Sequence, residues 1–172
     1  MNTERAVSTR FVGMSVAVAA FLLDQISKWL VTYPVTLRSR EVIDLIPFFS
    51  LRWAENYGVS LSYLQADSDL ARWALVAFTS VIAGGVGIWL LMNRDPINGV
   101  GLGLILGGAL GNIADRTRLG HVVDFLDLHF GGWRPFAIFN VADCMISIGV
   151  IVLLLSSWAS REKHSRSNPL PN

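Results

Sequence analysis

The chain has 172 residues, of which 52% are hydrophobic and 16% are charged. This composition is typical of a membrane protein of one domain and argues against a large soluble core. The formal net charge of +1 is too small, and the charges are too evenly scattered, for a nucleic-acid-binding surface or a polybasic patch, so we expect no nucleic-acid partner.

Four stretches approach the roughly 20 apolar residues that a helix needs to cross a bilayer. They cover about residues 11–33, 70–92, 97–114 and 137–159. Tryptophans lie near the ends of three of these stretches, as interfacial anchors do. The sequence therefore predicts an α-helical integral membrane protein with four transmembrane helices in a single domain over residues 1–160.

The first stretch also has features of a signal peptide, because Arg5 and Arg10 precede an apolar run that contains Ala17-Val18-Ala19. The run continues past this point, so we expect a retained helix. Four spans place both termini on one side of the membrane, and the basic residues near both ends predict that this side is cytoplasmic. The polar residues 161–172 are expected to form a disordered cytoplasmic tail.

The longest connection, residues 34–69, has the pattern of a β-sheet. Phe49, Leu51 and Trp53 alternate with polar residues, which is the period of a strand with one half-buried face. We predict a small extracytoplasmic sheet, a cradle at the membrane surface, between the first two membrane helices. The connection 115–136 is expected on the same side of the membrane.

Glycine recurs every four residues in the third predicted helix, at Gly99, Gly103, Gly107 and Gly111. This spacing places the glycines on one face, where the helix can approach its neighbours closely. By themselves the glycines indicate helix packing. Close packing would also bring polar side chains of adjacent helices within bonding distance.

Polar and charged residues interrupt the apolar stretches near their ends. They form three sets: Asp24, Gln25 and Lys28; Asn112, Asp115 and Arg116; and Asn140 and Asp143. An ionised group inside a membrane costs on the order of 3 kcal/mol, so such groups require mutual pairing or a function. Spacings of three and four place each set on one helix face, and the predicted topology brings all three to the same depth.

Some residues of this cluster can also be interpreted as purely structural. Asp24 and Lys28 fit a structural ion pair, and Asp143 fits a first-turn acid stabilised by the helix N-terminus. Asp127 and His129 are interpreted as solvated loop residues. Cys144 is the only cysteine, which excludes an internal disulfide, and it is interpreted as a buried, unreactive thiol.

Asp124 is harder to explain as a structural residue, because it is the one charged residue in the apolar five-residue segment Val122–Leu126. Two carboxylates held close in a low-dielectric site share one proton. Such a pair can hydrolyse an amide without a metal, because the ionised acid takes a proton from water while the protonated acid polarises the carbonyl. The candidate pair is Asp124 and Asp143, with Asn112, Asn140 and Arg116 able to orient it.

Five short motifs together resemble the conserved blocks of the lipoprotein signal peptidase family, also called signal peptidase II. They are Asp24-Gln25 with Lys28, Asn56-Tyr57-Gly58, Gly108-Ala109-Leu110-Gly111-Asn112 with Asp115-Arg116, Val123-Asp124-Phe125, and Phe139-Asn140-Val141-Ala142-Asp143. The resemblance implies a monomeric, cofactor-free aspartic endopeptidase of the bacterial inner membrane with its active site at the extracytoplasmic face. Its partners would be membrane lipids and prolipoproteins, which it would cleave just before a diacylglyceryl-modified cysteine.

The resemblance assigns roles by position. Asp124 and Asp143 match the catalytic aspartates. The remaining matches support the dyad or contact the substrate: Asp24, Lys28, Asn56, Gly58, Asn112, Asp115, Arg116 and Asn140. One departure is Val59-Ser60-Leu61-Ser62, where the family usually has small residues followed by an aromatic one, which leaves the fine shape of the cradle open.

Two other functions are compatible with an acidic membrane protein. A small transporter or channel would use Asp24 or Asp143 as a proton relay and would not need Asp124. A transferase would hold Mg²⁺ and a phosphate substrate with a cluster of acids, whereas the carboxylates here are interleaved with Asn and Arg. We expect no metal site, and the peptidase is the favoured hypothesis.

Overall fold

The computed structural model describes residues 2–58 and 69–167, with side chains for residues 9–58 and 69–162. The elements follow in chain order: α1 (Asn2–Thr32), α2 (Leu37–Arg40), β1 (Val42–Ile46), β2 (Phe49–Asn56), α3 (Asp69–Met92), α4 (Pro96–Leu119), β3 (Val122–Leu128) and α5 (Val141–Ser167). Within this part of the chain, four helices, α1, α3, α4 and α5, are long and apolar enough to cross a membrane. The predicted fold class is confirmed: four membrane helices carry a small antiparallel sheet.

The helix α4 begins and ends at well-defined caps. The Asp95 side chain accepts a hydrogen bond from the Asn98 N–H at 2.9 Å, and Pro96 occupies the first turn. Gly120 ends the helix with a φ of 85°, a conformation that glycine adopts without strain. Because α4 runs past residue 114 to Leu119, Asp115 and Arg116 are helical rather than in a loop.

The fourth membrane helix begins later than predicted. Residues 137–140 are apolar enough to continue a membrane span, but Phe139 pairs with β3 through the bond from its N–H to Leu126 O at 3.1 Å. The backbone is therefore extended until α5 begins at Val141. At its other end α5 continues to Ser167, so residues 161–167 are helical where we predicted disorder; Arg, Glu and Lys are good helix formers. Residues 168–172 lie outside the described part.

The glycines of α4 permit the close approach that their spacing predicted. A Cβ atom on Gly103 would contact Gly13 O of α1, and one on Gly107 would contact Ala17 O of the same helix. On the other side of α4, a Cβ atom on Gly108 would lie 2.6 Å from Ala142 O of α5. The helix α4 is thus packed tightly between α1 and α5.

The sheet has the strand order β1-β2-β3, and both pairs of strands are antiparallel. The strands β1 and β2 come from the connection between the first two membrane helices, as predicted. The third strand, β3, comes from the connection between α4 and α5, and Asp124 lies on it opposite Ala54. A small core that includes Val31, Leu37, Val123 and Phe125 joins the sheet to the end of α1.

Asp127 is not the solvated loop residue that the sequence indicated. It lies on β3 and is 1% exposed, and its carboxylate is 3.0 Å from both Arg52 Nε and Arg134 Nε. Burial alone would raise the pKa of Asp127, but the hydrogen bonds and charges of Arg134 and Arg52 lower it overall. His129 is also bonded, with its Nε2 2.8 Å from Ser50 Oγ, and Cys144 is half-buried.

Candidate active site

Five elements converge at one end of the helix bundle. The strand β3 carries Asp124, and the first turn of α5 carries Asp143. Asn112 lies near the end of α4, Asn56 ends β2, and the last turns of α1 carry Lys28. The structure thus brings together the three polar sets that the sequence placed at one depth.

Asn140 and Asp143 form the N-terminal cap of α5. The Asp143 N–H donates to Asn140 Oδ1 at 3.0 Å, and the Asn140 N–H donates back to Asp143 Oδ2 at 3.2 Å. This reciprocal pair is a capping box, which occupies backbone donors that have no partner in the helix. Asp143 is therefore both a first-turn acid and a fixed carboxylate at the mouth of the bundle.

The Asn140 side chain connects the two aspartates. Its Nδ2 donates to Asp124 Oδ1 at 2.6 Å and to Asn112 Oδ1 at 3.1 Å. Asn112 in turn donates from its own Nδ2 to Asp143 Oδ1 at 2.9 Å. Two amide side chains, one fully buried and one nearly so, thereby hold the carboxylates of Asp124 and Asp143 in one hydrogen-bonded cluster.

Asp124 is 2% exposed and also accepts a hydrogen bond from Asn56 Nδ2 at 2.9 Å. The pKa of Asp124 is raised to about 6. Burial is the largest cause and the nearby charge of Asp143 acts in the same direction, whereas the bonds from Asn56 and Asn140 lower the pKa. A carboxyl group in this environment keeps its proton to a higher pH than an ordinary aspartic acid.

Asn56 and Gly58 form a turn beside the cluster. The Gly58 N–H donates to Asn56 Oδ1 at 2.8 Å, and Gly58 has a φ of 83°. A Cβ atom at this position would contact Leu75 Cδ2 of α3 and lie 3.3 Å from Arg116 Nη2, so glycine leaves room for both side chains. Within the described chain, Arg116 Nε is buried and has no hydrogen-bond partner. The segment Val59-Ser60-Leu61-Ser62, which departs from the family pattern, lies outside the described residues.

An ionic layer lies next to the aspartates. Lys28 Nζ is 2.8 Å from Asp24 Oδ2, 2.8 Å from Asp115 Oδ2 and 3.1 Å from Asn112 Oδ1. Asp24 also accepts a hydrogen bond from the Ala142 N–H of α5 at 2.9 Å. The layer thus connects α1, α4 and α5, and its Lys28 fixes the Asn112 side chain through Oδ1.

Most of the contacts here come from residues that the sequence singled out. Gln25 adds a link, since its Nε2 lies 3.1 Å from both Asp24 Oδ2 and Asp115 Oδ1. Sequence reasoning missed two backbone donors, the N–H groups of Ala142 and Val123, which contact the carboxylates of Asp24 and Asp115. Both are apolar residues, so nothing in the sequence marks these contacts.

Comparison with known proteins identifies the family. The model of signal peptidase (SPase) II matches residues 16–159. The chain belongs to the signal peptidase II family. It is therefore a membrane peptidase, as the five motifs indicated.

Other lipoprotein signal peptidases match nearly the whole chain. It is 55% identical over 153 residues to the lipoprotein signal peptidase of Rhizorhabdus wittichii, a match that covers 89% of each chain. It is 47% identical over 172 residues to that of Sphingopyxis alaskensis, covering 100% of this chain and 99% of the relative. A bacterial membrane enzyme structure obtained by the in meso method at 2.3 Å resolution superposes with a TM-score of 0.72 at 26% identity and covers 93% of each chain.

Proposed function

We propose that this signal peptidase II is an aspartic endopeptidase that removes the signal peptide from prolipoproteins, cleaving just before a diacylglyceryl-modified cysteine. The observation that carries the mechanism is the cluster in which Asn140 and Asn112 hold Asp124 and Asp143 together. The lipoprotein substrate is supported by the names of the relatives from Rhizorhabdus wittichii and Sphingopyxis alaskensis. Both aspartates come from one chain, which supports a monomeric enzyme.

Catalysis uses the pair of carboxyl groups in two protonation states. Asp143 is ionised and takes a proton from water, while Asp124 is protonated and donates a hydrogen bond to the scissile carbonyl oxygen. The water oxygen bonds to the carbonyl carbon, and the carbon–nitrogen bond breaks as the leaving nitrogen takes a proton from the pair. The products are a carboxyl group on the signal peptide and a free amino group on the cysteine. The raised pKa of Asp124 supports its role as the proton carrier.

The supporting residues set geometry and charge. Asn112 and Asn140 orient the two carboxyl groups, and Asn56 fixes the second oxygen of Asp124. The guanidinium of Arg116, which lies near Gly58, supplies a positive charge near the pair, and its buried Nε is a donor for a substrate oxygen. Asp24, Lys28 and Asp115 act through Asn112 and the helix packing.

Location at the membrane surface suits this reaction. A substrate anchored in the bilayer must meet its catalyst where water is available, and the aspartates lie at the end of the apolar helices beside the sheet. The basic residues near both termini support a cytoplasmic position for the termini and an extracytoplasmic position for the active site in the bacterial inner membrane.

The test is cleavage of a diacylglyceryl-modified prolipoprotein peptide by the purified protein in detergent with a chelator present. We expect Asp124→Asn and Asp143→Asn each to lower kcat more than about hundredfold, the scale of positioned acid–base catalysis. Asp69→Asn is the matched control, because Asp69 is a first-turn acid of α3 with an 84% exposed side chain, and it should cleave at the wild-type rate. Cleavage that survives both dyad substitutions, or a folded wild-type protein that does not cleave, would refute the proposal.

A further inference from the structure

A cavity of about 590 Å³ lies at the same end of the bundle as the aspartates. Its walls come from the end of α1, from α2, from β2 and from the end of α4, and they include Trp29, Arg38, Trp53 and Arg118. Lys28 and Asp115 of the ionic layer line it as well. Neither Asp124 nor Asp143 lines this cavity.

The sheet separates this cavity from the candidate active site. Successive residues of a strand point to opposite faces, and on β3 Val123 lines the cavity whereas Asp124 contacts Asn140. The helix α4 shows the same division. Arg116 and Arg118 are two residues apart, which is about 200° around a helix, and Arg116 lies against Gly58 whereas Arg118 lines the cavity. The cavity therefore lies on the opposite face of the sheet from Asp124, with Lys28 and Asp115 of the ionic layer in its wall.

Among the described residues at the mouth of the cavity, Arg118 is an arginine without a carboxylate partner. Lys28 is neutralised by its two carboxylate partners, and Arg38 Nη2 lies 3.2 Å from Glu55 Oε1. The exposed Arg118 bonds only to an amide, Gln25 Oε1 at 3.3 Å, and within the described chain no carboxylate pairs with it. An arginine with free donors at a cavity mouth favours a phosphate or carboxylate ligand.

The cavity also opens toward the lipid-facing side of α1. Ile26, Trp29 and Tyr33 line it, and they are 52%, 54% and 66% exposed. Their spacing of three and four places them on one helix face. Aromatic residues at the end of a membrane helix are typical of the headgroup level of the bilayer. An apolar stripe beside an arginine fits a ligand with both an anionic group and a hydrocarbon chain.

We infer that this cavity binds an anionic membrane phospholipid, with its phosphate at Arg118, with Arg38 as a second arginine of the lining, and with its acyl chains along the Ile26, Trp29 and Tyr33 face of α1. A small soluble phosphate would use the arginines but not the apolar face, so the lipid accounts for both. The inference does not rest on the proposed peptide cleavage, because neither aspartate lines the cavity, although Lys28 and Asp115 line it and Lys28 also contacts Asn112.

The experiment measures lipid retention by native mass spectrometry on the purified protein with phosphatidylglycerol, phosphatidylcholine or soluble glycerophosphoglycerol. We expect wild type to retain phosphatidylglycerol and the variant Arg38→Gln/Arg118→Gln to bind it at least about tenfold more weakly, as loss of charge-assisted contacts implies. Arg40→Gln is the matched control, because Arg40 is exposed on the same short helix but does not line the cavity. It should retain lipid like wild type.

Three outcomes would overturn the inference: equal retention by the double variant, equal binding of phosphatidylcholine, or equal binding of the soluble headgroup. Thermal unfolding without added lipid checks that each variant is folded, and the single variant Arg118→Gln serves if the double variant is not. A folded Arg118→Gln protein that binds phosphatidylglycerol as wild type does would also refute it. Added phosphatidylglycerol should raise the Tm of wild type more than that of the double variant, since a ligand that binds only the folded state stabilises it.

Discussion

Replacing Asn140 by alanine tests how the cluster sets the protonation of the aspartates. Asn140 is fully buried and makes three side-chain hydrogen bonds, to Asp124, Asn112 and the Asp143 N–H. The bond to Asp124, at 2.6 Å, is the only one of the three to a carboxylate. It stabilises the ionised form of Asp124, so its loss should raise the pKa of Asp124 above about 6.

The size of this effect follows from the type of bond. A hydrogen bond to a charged group contributes about 1.5–3 kcal/mol, and 1.36 kcal/mol corresponds to one pKa unit. In the proposed mechanism Asp124 must be protonated, so the rate falls at high pH as Asp124 loses its proton. The basic limb of the pH–rate profile therefore follows the pKa of Asp124. It should therefore move to higher pH by about 1–2 units in Asn140→Ala. The maximal rate should fall, because the carboxyl group of Asp124 loses an orienting donor and the backbone N–H of Asp143 loses its acceptor.

The assay is kcat/KM for peptide cleavage from pH 5 to pH 9, measured for wild type, Asn140→Ala and Asn98→Ala. Asn98 lies at the opposite end of α4, so its variant should reproduce the wild-type profile. A basic limb that stays in place or moves to lower pH in Asn140→Ala would refute either the hydrogen bond or the role of Asp124 as the proton carrier. A shift without any loss of maximal rate would contradict the orienting role of Asn140.

Two further substitutions test the packing beneath the site. Lys28→Met should lower the free energy of unfolding by about 3–5 kcal/mol, because it leaves the buried carboxylates of Asp24 and Asp115 without their cation. Thermal unfolding in detergent measures this change, and an unchanged Tm would contradict the ion network. Gly107→Ala should also lower the Tm, because its methyl group would contact the backbone of α1, whereas Gly84→Ala, with nothing within 4 Å of the added atom, should leave the Tm unchanged or raise it slightly. Equal Tm values for the two glycine variants would show that α1 and α4 are not in close contact.

The polar residues of the site could be found from the sequence because charged groups are conspicuous in apolar helices. Asp24, Lys28 and Asn112 stand out against their neighbours, and their spacing places them on the faces that meet. Asp124 is also recognisable from the sequence, because a carboxylate within an apolar five-residue segment needs hydrogen-bond or ionic partners. These signals are local, so a single sequence contains them.

Long-range pairing was not predictable in the same way. The third strand joins the sheet through partners on β2 that are distant in sequence, and the burial of Asp127 depends on Arg52 and Arg134. The start of α5 was misplaced because hydropathy does not distinguish a strand-like segment at Phe139 from the first turn of a helix. The backbone contact between Phe139 and Leu126 decides the matter, and it exists only in the folded chain.

The sheet makes the proposed catalytic pair sensitive to strand register. A slip of β3 by one residue against β2 would turn Asp124 toward the cavity of Trp53 and bring the apolar Val123 to Asn140, because neighbouring residues of a strand point to opposite faces. A single-residue insertion or deletion near the Gly120 cap would thus move the Asp124 carboxylate to the opposite face of the sheet while leaving every membrane helix intact. Pairing outside the bilayer, rather than helix packing within it, therefore determines which side of this molecule holds its acid.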